Sequence, residues 1–156
     1  MEAQIQTECL VESVNHTSFT VTDLDRVLSF LCDGLGLRLL DLSPRDPKTM
    51  QLIVGVKGVE NVTAFVQAPG HRIELIKYSK PDDLQIHVIR PCDTGSSHLA
   101  FNVKDIDATV ARAAEYQFAP VNDPLPVSAG PNVGFFCAYL RDPHGLTFEV
   151  IGPRLK

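Results

Sequence analysis

Two stretches of the sequence carry one pattern and decide the fold. The first reads His16-Thr-Ser-Phe-Thr-Val-Thr-Asp-Leu-Asp25, and the second reads His98-Leu-Ala-Phe-Asn-Val-Lys-Asp-Ile-Asp107. Histidine, phenylalanine, valine and both aspartates recur at the same offsets. Each stretch alternates as a half-buried strand does, and an aspartate suited to cap a helix follows. The repeat therefore predicts two similar modules, each of which begins with a strand and a helix.

Each module also ends on a strand that carries a glutamate. Glu74 lies in Arg72-Ile-Glu-Leu-Ile76, and Glu149 lies in Thr147-Phe-Glu-Val-Ile151. A carboxylate within an apolar strand is costly unless it has a partner. A fold that brings the modules together would place two imidazoles and two carboxylates around one point, namely His16, Glu74, His98 and Glu149. This mixed nitrogen and oxygen set suits one divalent ion such as Zn²⁺, Ni²⁺, Co²⁺, Mn²⁺ or Fe²⁺.

The bulk composition limits the partners and the compartment of the protein. With 156 residues, 44% hydrophobic and 21% charged, the chain fits a single globular domain over 1–156. A net charge of −5 without a cluster of lysine or arginine argues against binding to nucleic acid or an anionic membrane. No apolar run is long enough to span a bilayer, and the polar N-terminus does not resemble a signal peptide. We therefore expect a cytoplasmic protein that acts on a small molecule. Cys32 and Cys137 lie in helical and strand patterns and are interpreted as small core residues.

Alternation and turn residues indicate the order of the elements. The chain is predicted to divide into a first module, a linker and a second module at 13–78, 79–95 and 96–152. The repeated strands are followed by helices that begin after Asp23 and Asp105. Further strands are predicted at 38–42, 49–56, 62–67, 72–78, 118–121, 135–141 and 146–151. The segment 122–134 is rich in proline and glycine and is a candidate lid.

These features together resemble a known family. The paired βαβββ pattern, the two His-x-x-Phe-x-Val-x-Asp-[Leu/Ile]-Asp strands and Asp142-Pro-His-Gly145 before Glu149 look like the glyoxalase/vicinal oxygen chelate superfamily. The chain is similar to its metal-dependent branch, which includes glyoxalase I and methylmalonyl-CoA epimerase. The resemblance implies an α+β fold in which two tandem βαβββ modules form a cupped eight-stranded sheet around a divalent metal, often in a homodimer. It also implies a set of four metal ligands, His16, Glu74, His98 and Glu149.

The chemistry expected from this set is proton transfer next to a carbonyl group, as in a lyase, an isomerase or an epimerase. A metal ion that binds the carbonyl oxygen stabilises the enolate that forms on deprotonation. Glu149 is the first candidate for the base, and Glu74 is the second. The candidate substrate contacts share faces with the ligands or lie near 122–134: Thr20, Arg72, Tyr78, Asn102, Phe135 and Tyr139. Arg72 is the only cation recognised on these faces, and it favours an acidic or phosphate-bearing substrate group.

The subfamily is left open by the sequence. Glyoxalase I binds glutathione through residues whose positions correspond here to Thr20, Tyr78 and Thr94, and none of the three matches. An Fe(II) extradiol-type dioxygenase uses two histidines and one carboxylate, so Glu74 would be an additional ligand. A fosfomycin-type transferase is a further alternative. A non-catalytic ligand-binding or resistance protein on the same scaffold is the alternative from another class.

Overall fold

The computed structural model describes residues 9–155, which form two β-sheets and three α-helices. The first sheet has the order β1-β4-β3-β2, with β1 at Thr17–Thr20, β2 at Arg38–Pro44, β3 at Glu60–Ala68 and β4 at His71–Lys80. The second has the order β5-β9-β8-β6, with β5 at Leu99–Asn102, β6 at Ala119–Pro120, β8 at Phe136–Arg141 and β9 at Thr147–Gly152. A short strand β7, Leu125–Pro126, pairs with β8. The helices are α1 at Leu24–Ser29, α2 at Pro47–Val54 and α3 at Ile106–Glu115, and α1 continues as a π-helical turn at Phe30–Gly34.

The two modules repeat the same strand pairing. The first strand of each module runs parallel to the last strand of that module, β1 beside β4 and β5 beside β9. The helix that follows the first strand begins where the sequence predicts it, because Asp23 accepts from the backbone N–H of Arg26 and Asp105 from those of Asp107 and Ala108. In each module the histidine of the repeated stretch therefore lies next to the strand that carries the glutamate.

One expectation about the elements is wrong. The segment predicted as a strand at 49–56 is largely helix α2, which begins after the cap Asp46 with Pro47 in its first turn. The cap and the proline favour a helix start over the strand that the apolar residues suggest. The α+β fold is confirmed, and the exact cup of eight strands is not, since residues 9–155 form separate sheets of four and five strands.

One apolar core joins the two modules. It contains the inward residues of both sheets together with residues of α1 and α3. At its centre the ring centroids of Phe30 and Phe118 are 4.3 Å apart, and those of Phe19 and Phe148 are 5.7 Å apart. Each fully buried phenylalanine stabilises the fold by roughly 1.5–3 kcal/mol. The core covers one face of each sheet and leaves the histidine-bearing face of each sheet outside it.

A partly buried ion pair adds a polar link between the modules. Arg26 of α1 donates through Nη2 to Asp142 Oδ2 at 2.8 Å, and their side chains are 13% and 3% exposed. The other oxygen of Asp142 accepts from the backbone N–H groups of His144 and Leu146. Asp142 therefore holds the β8–β9 turn and α1 together.

None of the helices within 9–155 is long and apolar enough to cross a membrane.

Candidate metal centre

The first module brings His16 and Glu74 together. Ser18 of β1 pairs with Glu74 of β4, and His16 lies two residues before Ser18. The side chains of His16 and Glu74 therefore share one face of the sheet. His16 Nε2 lies 3.3 Å from Glu74 Oε2, and Asn15 Oδ1 accepts from His16 Nδ1 at 2.8 Å. The ring of Phe65, which pairs with Glu74 from β3, meets the imidazole edge-on at 5.6 Å. The imidazole is thus oriented from two sides.

This geometry fits half of a metal site. A carboxamide oxygen can only accept, so a neutral His16 ring bonded to Asn15 would carry its proton on Nδ1 and a lone pair on Nε2. Two lone-pair atoms then face each other across 3.3 Å, an arrangement that a cation between them stabilises. Two neighbouring ligand atoms, each at roughly 2.1 Å from one ion, are separated by about 3 Å. The donor types and their spacing are therefore suited to a divalent ion.

The second module repeats the pair with His98 and Glu149. Ala100 of β5 pairs with Glu149 of β9, and His98 Nε2 lies 3.2 Å from Glu149 Oε2. Tyr139 of β8 pairs with Glu149, and its ring centroid is 4.9 Å from that of His98. Tyr139 therefore occupies in the second module the position that Phe65 occupies in the first, beside both candidate ligands.

The two pairs do not meet within residues 9–155 of one chain. No group of three or more histidine, cysteine, aspartate or glutamate side chains in that range is close enough to hold a metal ion. Each histidine is adjacent only to the glutamate of its own module, with 34% and 39% of the two histidine side chains exposed. The four-ligand set remains a prediction, and a single chain presents it as two half-sites.

Comparison with known proteins identifies the family. Residues 13–150 match the model of the Glyoxalase/Bleomycin resistance protein/Dioxygenase superfamily. The chain belongs to this superfamily. It is 30% identical over 148 residues to a 2-epi-5-epi-valiolone epimerase from Actinomyces sp., covering 89% of this chain and 78% of that protein. It is also 30% identical over 136 residues to a probable lactoylglutathione lyase from Synechocystis sp., covering 87% and 92%.

The fold is shared with solved members of the superfamily. The crystal structure of a glyoxalase family protein from Bacillus cereus aligns with a TM-score of 0.77 at 21% identity, covering 98% of this chain and 100% of that one. The resemblance seen in the sequence is therefore confirmed at the level of family and fold. Divalent metals are common in this superfamily, and the two His–Glu pairs supply the donor types that such an ion requires.

Most of the predicted substrate contacts lie on or beside the ligand-bearing faces. Tyr78 and Tyr139 lie on the faces that carry the half-sites, and burial, followed by the charge of Glu74 or Glu149, raises the pKa of each phenol. Both phenols are therefore protonated near neutral pH and can donate hydrogen bonds. Thr20 is exposed on the same face as Glu74, and Phe135 is 44% exposed just before β8.

Asn102 lies on the predicted face of β5, since Ala100, two residues before it, pairs with Glu149. It also lines a cleft of about 660 Å³ between the π-helical turn and the start of α3, together with Lys104 and Arg112.

The candidate lid at 122–134 is only partly a loop, because Leu125 pairs with Cys137 of β8. This segment therefore extends the second sheet at one edge.

Two arginines near the half-sites were missed by the sequence analysis. Arg45, just beyond β2, bonds to Asp41 at 2.7 Å and lies over the ring of Phe65 at 5.9 Å. The Arg45 bond, followed by one from Ser43, holds the pKa of Asp41 below its ordinary value. Arg141 lies two residues after Tyr139 and shares with it the ligand-bearing face of β8. Alternation along 135–141 could have revealed Arg141, whereas the return of Arg45 over the sheet has no local signal.

Cys137 is not a core residue as interpreted from the sequence. It is half-buried on the same face of β8 as Tyr139, two residues away, and pairs with Ile151 of β9. Burial, and to a lesser extent the charge of Glu149, raises the pKa of its thiol. The thiol is therefore protonated at neutral pH and acts as a weakly polar part of the wall. Cys32, in contrast, packs against the core as predicted.

Proposed function

We propose that this protein is a divalent-metal-dependent enzyme that moves a proton next to the carbonyl group of a small substrate, as a lyase or an isomerase. The observation that carries the proposal is the pair of half-sites, in which His16–Glu74 and His98–Glu149 have nitrogen–oxygen separations of 3.3 and 3.2 Å. Relatives named as an epimerase and as a probable lyase support an enzyme of this kind. Inversion of a centre next to a carbonyl and hydrogen transfer within an α-hydroxycarbonyl both begin with loss of a proton from carbon.

The complete site is proposed to form between two copies of the chain. The shared core occupies the inner faces of both sheets, so that each half-site faces outward and lacks the other half within its own chain. In a homodimer, the His16–Glu74 half-site of one copy faces the His98–Glu149 half-site of its partner. Two equivalent sites result, because a twofold interface presents the same surfaces on both copies.

The residues then have defined tasks. When bound, a divalent ion supplies Lewis-acid stabilisation of the charge that develops on a carbonyl oxygen. Glu149 accepts the proton from carbon and returns it, and Glu74 is the second candidate for this task. Tyr139, whose phenol is protonated and adjacent to Glu149, donates a hydrogen bond to a substrate oxygen. The hydrogen bond to Asn15 orients the His16 ring so that Nε2 faces Glu74 and can act as a ligand atom.

Metal content tests the first part of the proposal. The purified protein, loaded with Mn²⁺, Co²⁺, Ni²⁺ or Zn²⁺ and desalted, is expected to retain about one ion per chain by plasma mass spectrometry, as one site per half-site pair requires. His98→Ala should lose the ion, whereas the matched change His87→Ala, at an exposed linker histidine, should retain it. Absence of any retained ion from the wild-type protein, or full retention by His98→Ala, would contradict the proposal.

Mixing two inactive variants tests whether the site is shared. His16→Ala damages one half-site and His98→Ala damages the other. After unfolding and refolding together, each mixed dimer contains one doubly damaged site and one intact site if the half-sites come from different chains. Metal retention should then recover to about a quarter of the wild-type value, because about half of the dimers are mixed. If each site were formed within one chain, no recovery would occur.

A further inference from the structure

We propose that the substrate of this site carries an anionic group, a carboxylate or a phosphate, which is bound by Arg72 of one half-site and Arg141 of the other. The inference rests on the proposed function, since the two arginines meet only when the half-sites do. It names a substrate class for that site. It also adds Arg141 to the binding residues.

The arginines of residues 9–155 that have no carboxylate partner all lie on the ligand-bearing faces of the two sheets. Most arginines in 9–155 have a carboxylate oxygen within 4 Å, and these are Arg26, Arg45, Arg90, Arg112 and Arg154. The remaining arginines are Arg38, Arg72 and Arg141. By strand register all of the latter lie on the ligand-bearing faces, in the rows that contain the histidines. A guanidinium without a carboxylate partner is available to bind an anion.

Arg141 is held in a position to bind one. It pairs with Thr147 across β8 and β9, and its Nε donates to Thr147 Oγ1 at 3.2 Å. His98 immediately precedes Leu99, which pairs with Phe148, so Thr147 lies beside His98. The bond at Nε fixes the plane of the guanidinium and leaves its two terminal nitrogens free within residues 9–155. A planar fork of this kind matches the two oxygens of a carboxylate or phosphate.

Arg72 has the equivalent row in the first module. It lies two residues before Glu74, and its cross-strand partner is Gln67 of β3. The side chain of Gln67 is uncharged, and its amide donates to the carbonyl oxygens of Ala68 and His71. Gln67 therefore does not neutralise the charge of Arg72. Arg38 pairs with Gln67 from the other side and extends the same row to the exposed edge of the sheet.

The charge balance supports an anionic substrate. Two glutamates neutralise a divalent ion, and the Arg45–Asp41 pair is neutral by itself. Arg72 and Arg141 then add two positive charges beside the half-sites, and Arg38 adds a third at the edge of the first sheet, in a chain whose formal net charge is −5. A positive site within an acidic protein attracts an anionic substrate and holds it in one orientation.

Matched probes of equal carbonyl chemistry test the proposal by calorimetry on the metal-loaded protein. The phosphate arm compares dihydroxyacetone phosphate with dihydroxyacetone, and the carboxylate arm compares pyruvate with methyl pyruvate. In at least one arm the charged member should bind about tenfold more tightly or better, as charge-assisted hydrogen bonds imply. The arm that shows the preference identifies the anion.

Variants of the arginines assign the preference. The double change Arg72→Gln and Arg141→Gln should reduce it to less than about threefold, and Arg141→Lys should retain part of it because the charge remains. Arg90→Gln removes an exposed cation from the linker and should have no effect. Equal binding of charged and neutral probes, no binding of either charged probe, or a preference that survives the double change would overturn the proposal. Metal content measured on the same samples separates the two ideas, since a metal-free protein that still prefers charged probes contradicts only the proposed function.

Discussion

The link between Arg26 and Asp142 allows a quantitative prediction about how the modules are joined. In Asp142→Ala the carboxylate is removed while Arg26, only 13% exposed, keeps its charge. Arg26 Nε already has no hydrogen-bond partner, and the backbone N–H groups of His144 and Leu146 also lose their acceptor. The variant therefore leaves Arg26 with only the more distant carboxylate of Asp23, at 3.6 Å, and leaves two amides without an acceptor in a largely desolvated place.

The expected cost follows from these losses. Removing one member of a buried ion pair costs up to about 3–5 kcal/mol. We expect a cost below the top of this range for Asp142→Ala, because Asp23 still compensates part of the Arg26 charge. Asp142→Asn keeps an oxygen that can accept from the turn amides and should cost less. Arg26→Met removes the unsatisfied Nε but leaves the Asp142 carboxylate, 3% exposed, with only the turn amides as partners, so we expect a cost of the same order. The double change Arg26→Met and Asp142→Ala should cost less than the sum of the single changes by about 1–3 kcal/mol.

Urea unfolding followed by circular dichroism measures these free energies, at one protein concentration because association affects apparent stability. A cost of less than about 1 kcal/mol for Asp142→Ala would refute the reasoning, since it lies below the cost of leaving buried donors without an acceptor. Additivity of the two single changes would refute it as well. Either result would mean that α1 and the β8–β9 turn are not coupled through this pair.

Three further changes test the packing that positions the half-sites, each by urea unfolding. Gly152→Ala should destabilise by about 1–3 kcal/mol or more, because its Cβ would lie 2.4 Å from the carbonyl oxygen of Val103. Phe148→Ala should cost about 3–5 kcal/mol, because the ring is fully buried among other aromatic rings of the shared core. Asp105→Ala should cost about 1 kcal/mol through loss of the cap of α3.

Nearby positions supply the controls. Gly130→Ala, at a glycine with open space around it but a φ of +82°, separates backbone strain from the steric clash at Gly152. A Gly152→Ala cost of less than about 1 kcal/mol would contradict the clash. Asp105→Asn keeps a capping oxygen and should be nearly neutral, so an equal loss in both Asp105 variants would contradict the capping argument. Phe148→Leu should lose less than Phe148→Ala, since less volume is removed.

Much of the fold was predictable because its signals are local. The repeated strands, the helices that begin after Asp23 and Asp105, and the strand that carries Glu149 depend on alternation and capping over a few residues. The strand predicted at 49–56 shows where this reasoning fails. Its apolar residues match a strand, but Asp46 and Pro47 start helix α2, which has no buried residue. Composition favoured one structure there, and the capping chemistry at its first turn decided for the other.

The sequence by itself determined the candidate ligands and which glutamate accompanies which histidine, because each pair lies within one repeated module. Only the tertiary structure decided that β1 lies against β4 and β5 against β9, which brings each pair to about the separation of two ligands on one ion. It also decided that both modules bury their apolar faces in one core and leave the half-sites apart. Alternation assigns a side chain to a face of a strand, but burial of that face depends on residues far away in the chain. For the same reason Arg141 and Arg45 became recognisable as neighbours of the site only when the sheets were in place.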